Sequence, residues 1–276
     1  MKSEIKLILE LIKSHNTFDF SGNQMQLIEK LIQKRVAATK NNNLNSYLEY
    51  LKLNTNELDI LILSFTINVS WFFRNPLTFE YLSNIILPDY ILNNKRTNNK
   101  SLRIWSAGCA EGEEVYTIAI IINEILKEHD ISITPDIFAT DIDKKALKIA
   151  SKGKYNSKSL KEVKYNIIEK YFNKKDKSFE IIPEIKEMVR FSFYDLLNLK
   201  SNVPPESIYG DFDIVFCRNV LIYFKLEYQE LIFEKLYNSL KKGAYLVLGE
   251  TEFPIGKFQN KFKHELECCK VFRKIG

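Results

Sequence analysis

Beyond residue 101 the chain alternates between short apolar runs and amphipathic stretches, and this alternation restricts the fold more than any other feature of the sequence. The runs LRIWSAG, PDIFATDID, MVRFSFYDL, FDIVFCRNVLIYF, AYLVLGETE and ELECCKVFRKI read as strands, the last as one final strand. Between them EEVYTIAIIINEILKEH, DKKALKIAS and YQELIFEKLYNSL carry apolar residues at helical spacing. Strands alternating with helices predict an α/β fold, a mainly parallel sheet with helices on both faces. Ligands of such sheets bind beyond the carboxyl ends of the strands. Polar residues gather there: Gly108 and Glu111 to Glu114 after the first strand, Asp141 and Asp143 after the second. Asp195 follows the third, and Arg218 with Asn219 the fourth.

The first ninety residues have a different grammar. MKSEIKLILELIKSH carries acidic residues inside its apolar stretch, which fits an amphipathic helix and not a signal peptide. MQLIEKLIQKRVAA, LNSYLEYLKL and TNELDILILSFTI continue the helical pattern, with Thr55 the candidate N-cap of the last. The polar stretch NNKRTNNKS reads as a linker. The expected organisation is a helical domain at 1–90, a linker at 91–100 and an α/β domain at 101–276. The connection after KKALKIAS is too long to be a simple loop. Its SFEIIPEI resembles a short strand, so a small β-subdomain is expected at about 160–190.

Composition narrows the function classes. Hydrophobic residues at 45% and charged residues at 27% describe an ordinary globular protein. LDILILSFTI, the best apolar run, is too short to span a bilayer, so no integral membrane protein is expected. Cys109, Cys217, Cys268 and Cys269 form no C-x-x-C pair and have no nearby histidine, which predicts reduced thiols in a cytoplasmic protein and no bound metal. The net charge of +5 is mild, with basic residues concentrated from Lys152 to Lys177. They read as a solvated surface or as steering toward an acidic partner. No nucleic-acid reading motif accompanies them.

The turn IWSAGCAEGEEVYTIAI poses the ligand question. Gly108 and Gly112 do not form a G-x-G-x-x-G run, and Glu113 and Glu114 open the helix where a dinucleotide would put its pyrophosphate. Both glutamates could simply complement the helix dipole. Alternatively, a carboxylate here suits a cationic ligand such as S-adenosylmethionine, with the glycines letting the backbone approach its amino-acid end. Asp141 lies where an acid accepts hydrogen bonds from ribose hydroxyls, or else caps the next helix, a role open equally to Asp143. Asp195 could accept from an adenine amino group or be a plain loop carboxylate.

TINVSWFFRNPLTFEYL, WSAGCAEGEEVYTIAI, ATDIDKKAL and FDIVFCRNVLIYF together, over nearly the whole chain, resemble the chemotaxis receptor methyltransferase family, the CheR proteins. The resemblance implies an S-adenosylmethionine-dependent protein-glutamate O-methyltransferase. Its fold would be a class I, Rossmann-like sheet with an N-terminal helical domain and an inserted β-subdomain. Carried over by motif, Asn68, Ser70 and Arg74 would reach the cofactor and Glu114 its amino-acid end. Gly108 would allow its approach, Asp141 would hold the ribose, and Asp195 with Leu196 the adenine side. Arg218 and Asn219 would close the pocket, Arg74 would guide the substrate glutamate, and Tyr223 would lie near the transferred methyl. The implied product is S-adenosylhomocysteine. The implied partners are the cytoplasmic domains of methyl-accepting receptors, met by a cytoplasmic monomer recruited to receptor arrays.

Three positions depart from the family pattern. Ser70 replaces a threonine, Asp195 an asparagine, and GETE a glycine-histidine-serine-glutamate run. The histidine's role is therefore absent or moved to Glu250 or Thr251. A carboxylate nucleophile is already ionised near neutral pH and needs no general base, which agrees with His15, His129 and His264 lying away from the strand ends. Family members that hold a receptor-tail tether carry a glycine-containing loop in the subdomain. YFNKKDKSFEIIPEI is short and has no glycine, so no tether is expected. The competing classes are a nicotinamide-dependent oxidoreductase, a non-catalytic module on the same fold, and a methyltransferase of non-receptor proteins.

Overall fold

The computed structural model describes residues 2–16, 20–65, 69–96, 101–198, 200–207 and 209–276. The chain forms two compact units, Met1–Ile67 with Tyr223–Gln229, and Asn68–Ile222 with Glu230–Gly276.

Among the described residues the first unit has the α-helices α1 (Lys2–Asn16), α2 (Met25–Ala38), α3 (Leu44–Leu53) and α4 (Thr55–Phe65). Each turns one apolar stripe inward, as Ile5, Ile8 and Ile12 do on α1 at helical spacing. They share a core with Ile28, Ile32, Tyr47, Leu51, Leu61 and Phe65. Within it Glu57 is buried but fully engaged. Arg35 donates to both its oxygens at 2.9 and 2.7 Å, and the Tyr47 hydroxyl donates at 2.8 Å. The cap of α4 is Asn54, whose Oδ1 accepts from Glu57 N at 3.1 Å, so the expectation for Thr55 is off by one residue. Thr55 is the first helical residue.

The second unit begins well before residue 90. Helices α5 (Pro76–Tyr81) and α6 (Leu87–Arg96), joined by a π-helical turn at Leu82–Ile86, lie in it. Phe79, Leu82, Ile86, Leu87 and Ile91 form an apolar stripe buried in the core around the sheet. The expected boundary at residue 90 therefore moves to Ile67, because this stripe seals the sheet. The described part of the expected linker, up to Arg96, is the end of α6.

Seven strands form the main sheet: β1 (Arg103–Ala107), β2 (Asp136–Asp141), β6 (Val189–Phe193), β7 (Phe212–Cys217), β8 (Leu240–Leu248), β9 (Phe262–Leu266) and β10 (Cys269–Lys274). Their order is β6-β2-β1-β7-β8-β10-β9. All neighbours are parallel up to β8, and β10 is antiparallel to both β8 and β9. The run ELECCKVFRKI is not one strand: it holds the end of β9 and all of β10, folded back through Glu267 and Cys268. Helices α7 (Glu113–Glu128), α8 (Lys144–Lys152) and α11 (Leu226–Ser239) make the crossovers. β1 and β7 are buried along their whole length, including Asp213. That carboxylate is satisfied by Arg103 N at 2.6 Å, Tyr90 at 2.6 Å and Lys241 at 2.7 Å.

The insertion is a three-stranded antiparallel sheet of β3 (Lys154–Asn156), β4 (Phe172–Lys175) and β5 (Ser178–Ile181), in the order β3-β5-β4, flanked by helices α9 (Tyr165–Tyr171) and α10 (Pro183–Lys186). Only Asp176 and Lys177 separate β4 from β5, with Asp176 at φ +52. No helix among the described residues is long and apolar enough to cross a membrane.

Candidate active site

The chain passes from β1 outward to β2 and β6, then returns to β7 and β8, so the strand order reverses between β1 and β7. That is where an open α/β sheet leaves a crevice. The turn after β1 is drawn toward β2, since Gly108 N and Cys109 N both donate to Thr140 O, at 2.8 and 3.0 Å. Gly108 has φ +83, and a Cβ there would meet Val220 Cγ2 at 2.4 Å, so no other residue fits this turn without displacement.

Asp141, at the end of β2, is 8% exposed and holds two backbone groups in place. Its Oδ2 accepts from Ala110 N and its Oδ1 from Asp143 N, each at 2.8 Å. Burial pushes its pKa up, opposed by those backbone bonds. Helix α8 is capped by Asp143, whose Oδ1 accepts from Lys145 N at 2.7 Å and Ala146 N at 3.2 Å. Capping is thus not Asp141's task. It is anchored through both oxygens by backbone N–H groups, those of Ala110 and Asp143 and also that of Ile142.

Glu114 sits on the first turn of α7. Ser106 Oγ donates to its Oε1 at 2.9 Å and Arg218 to its Oε2 at 3.1 Å. Arg218 is 5% exposed and also donates to Arg74 O at 2.9 Å and Asn75 Oδ1 at 2.8 Å. Its guanidinium lies over the Phe79 ring, and its buried Nε has no hydrogen-bond partner among the described residues. A buried ion pair of this kind presents both signs of charge side by side and is held by more than its Coulomb attraction.

The loop after β7 depends on a residue that the sequence reading passed over. Glu252 is 4% exposed and accepts from four backbone N–H groups: Asn219 and Leu221 at 2.8 Å, Gly249 at 2.7 Å and Ile222 at 3.3 Å. Asn219 takes φ +59, a costly conformation for a non-glycine residue that these bonds support. Glu250 and Thr251, the candidates for the missing histidine's role, are exposed. The signal for Glu252 was its position one turn beyond an apolar strand end, which the flanking Glu250 and Thr251 obscured.

Asp195 Oδ1 accepts from Leu197 N at 2.8 Å, shaping the turn after β6, and Leu196 is buried. Tyr194 N donates to Asp141 O at 3.1 Å, tying this turn to the end of β2. Lys235 braces the same turn by donating to Asn198 O at 2.6 Å, and burial lowers its pKa to about 8. Arg74 donates to Val69 O at 2.8 Å and lies over the Trp71 ring, while its carbonyl is the group that Arg218 holds. The Ser70 hydroxyl acts on the Glu113 carboxyl. Asn68 lies outside the described residues. Tyr223 groups with the helical unit, where its carbonyl accepts from Gln24 N at 2.9 Å. The strand ends thus bring Gly108, Glu114, Asp141, Arg218 and Asn219 together, with Asp195 and Leu196 tied in through Tyr194.

A mainly parallel sheet with a glycine turn after β1 and an anchored acid closing β2 defines a nucleoside-binding α/β enzyme, and the paired carboxylate of Glu114 suits a methyltransferase better than a dinucleotide enzyme. Two family models match: the CheR methyltransferase, SAM binding domain, over residues 68–269, and the CheR methyltransferase, all-alpha domain, over residues 3–66. The chain belongs to the CheR methyltransferase family. It is 31% identical to the chemotaxis protein methyltransferase of Borreliella burgdorferi, across 91% of this chain and 88% of that one. It is 30% identical to chemotaxis protein methyltransferase 2 of Vibrio cholerae, across 84% and 79%. With the corresponding protein of Listeria innocua it shares 33% identity, across 75% and 73%.

Proposed function

We propose that this protein transfers the methyl group of S-adenosylmethionine to glutamate side chains on the cytoplasmic helices of methyl-accepting chemotaxis receptors, leaving S-adenosylhomocysteine. The observation that carries the reading is the donor set at the strand ends. Asp141, a carboxylate fixed by backbone N–H groups at the end of β2, suits a pair of vicinal hydroxyls. Glu114 beside Arg218 suits the ammonium and carboxylate of an amino acid. Gly108 leaves the backbone free for close approach, and the turn at Asp195 and Leu196 offers an acceptor beside an apolar wall for adenine.

The cofactor, when bound, supplies a methyl group made electrophilic by a positively charged sulfur. The protein's part is positioning and exclusion of water. Orientation of this kind can contribute on the order of 7–11 kcal/mol. Arg218 and Glu252 hold the two loops that flank the switch point. Arg74 receives the incoming carboxylate, exchanging its bond to Val69 O for the substrate. No side chain has to remove a proton, because the substrate glutamate is ionised at neutral pH. Each ester removes one negative charge from a receptor helix and so relieves repulsion between neighbouring acidic residues.

The protein acts in the cytoplasm, as a monomer recruited to receptors, and without a receptor-tail tether. The two-residue turn between β4 and β5 supports the last point, since it leaves no loop to clasp a peptide. Incubation with methyl-labelled S-adenosylmethionine and receptor cytoplasmic fragments tests the main reading. Alkali-labile label on the fragments is expected, and S-adenosylhomocysteine but not NAD should raise the melting temperature. Protection by NAD alone would reverse the assignment, and tight binding of a receptor-tail peptide would contradict the absence of a tether.

A further inference from the structure

Glu113 opens α7 beside Glu114, yet its side chain has no place in the site described above. It is 2% exposed, although a glutamate serving only the helix dipole would keep its carboxylate in water. Ser159 Oγ reaches its Oε1 at 3.3 Å, the Ser70 hydroxyl adds a weaker interaction, and Oε2 has no hydrogen-bond partner among the described residues. A buried carboxyl with an orphaned oxygen calls for an explanation.

The segment that it touches is strained. Phe73 and Asn75 have φ values of +56 and +64, and such conformations persist only where the surroundings enforce them. Three further contacts do so around Glu113. Phe72 N donates to Ser159 O at 3.0 Å, and Phe73 N donates to Thr117 Oγ1 at 3.1 Å. Thr117 in turn donates to Glu113 O at 2.7 Å. The far end is held separately through the bond from Arg218 to Arg74 O.

We propose that Glu113 is a positioning residue for the Ser70–Asn75 segment: as a neutral acid it keeps Ser70 and Ser159 seated against the first turn of α7, and on ionisation it releases them. Burial pushes its pKa up to about 7, the backbone and both serines oppose the rise, and the charge of Glu111 on the preceding loop adds to it. The other groups that face it are neutral near that pH. Tyr155 of β3 donates its hydroxyl to Glu111 O at 2.8 Å, and the Cys109 thiol is fully buried with its pKa raised. An ionised Glu113 has to hydrate Oε2, and the groups over the carboxyl are those of Ser70 and Ser159. The effect on ligand binding rests on the reading that this segment closes the cofactor site.

Trp71 reports on the segment directly, because its ring lies 3.5 Å from the Lys161 ammonium and 4.9 Å from the Arg74 guanidinium. The test follows tryptophan emission of the full chain between about pH 5.5 and 8.5 in wild type, E113Q and S159A, with W71F identifying the signal. Calorimetric binding of S-adenosylhomocysteine is measured in parallel. Wild type should show a transition near pH 7 and bind about tenfold more weakly at pH 8 than at pH 6, as the competent fraction falls. E113Q should be flat in both, and S159A, which loses a bond that seats the segment over the neutral acid, should move the midpoint downward. A wild-type emission without a transition, or a transition that survives in E113Q, overturns the proposal. So does an unmoved midpoint in S159A, should E113Q fail to fold. Wild type that binds no S-adenosylhomocysteine at any pH would sink the cofactor reading, while the emission titration would still decide the role of Glu113.

Discussion

Replacing Glu252 by alanine removes one carboxylate and strands four backbone N–H groups in a buried place. Hydrogen bonds to a charged group contribute about 1.5–3 kcal/mol each, and a donor left unsatisfied costs about 1–3 kcal/mol. Those figures are not additive across one carboxylate, and water enters the space that a shorter side chain leaves. A net loss of about 3–5 kcal/mol is expected, in line with removing one partner of a buried charged cluster. For a domain of this size that lowers the melting temperature by roughly 6–20 °C. Glu252→Gln should fare little better, since its amide nitrogen would face the N–H groups of Asn219 and Gly249, both now paired with Oε2. The assay is urea unfolding followed by circular dichroism, with calorimetric binding of S-adenosylhomocysteine on the folded variants. Binding should fall together with stability, because the same carboxylate fixes Asn219 in its positive-φ conformation. A Glu252→Ala variant within about 1 kcal/mol of wild type with unchanged affinity would show that this loop is held by something else.

Stability should also depend on pH through Glu113. Its pKa rises from 4.5 to about 7 on folding, so the native state binds more protons than the unfolded chain within that window. Stability therefore falls as pH rises from about 4.5 to about 7, by roughly 3 kcal/mol at most, and is level above it. Glu113→Gln should abolish that slope in urea melts, and retention of the full slope would refute the assignment. Gly108→Ala puts a Cβ 2.4 Å from Val220 in a backbone held at φ +83, and a loss of about 2–3 kcal/mol together with cofactor binding is expected in the same melts and titrations. Arg74→Ala should leave melting almost unchanged, since the Arg74 side chain is part-exposed and bonds only within its own segment, while methyl transfer falls sharply in the labelling assay; normal turnover would remove Arg74 from the mechanism.

Periodicity carried the elements well. MQLIEKLIQKRVAA and LNSYLEYLKL are α2 and α3 to the residue, because an apolar stripe at helical spacing can be buried in only one way. The strand-end residues were equally legible, as parallel topology puts every βα loop at the same edge. Boundaries set by tertiary packing were not legible. The stripe Phe79 to Ile91 reads as a helix wherever it lies, and only the folded chain reveals that the sheet needs it. The split of ELECCKVFRKI was hidden because Glu267 and Cys268 are unremarkable turn residues, without the glycine, proline or asparagine that mark a reversal. Glu113 and Glu252 are the instructive pair within the site. Each stands beside another glutamate or polar neighbour, and only the folded surroundings tell which carboxylate is structural. Burial of a charged side chain is set by what folds over it, which no local window contains.

The central claim is that the strand-end carboxylates serve transfer of a methyl group to glutamate. Peptide mass spectrometry of a receptor cytoplasmic fragment, incubated with S-adenosylmethionine and either the wild-type protein or Asp141→Asn, tests it most directly. Glutamate residues heavier by one methylene are expected with wild type, the mark removed by mild alkali, and little or none with the variant, whose amide opposes an N–H group that Asp141 accepts from. Unmodified glutamates with wild-type protein that binds the cofactor, or an alkali-stable mark on another residue type, would contradict it.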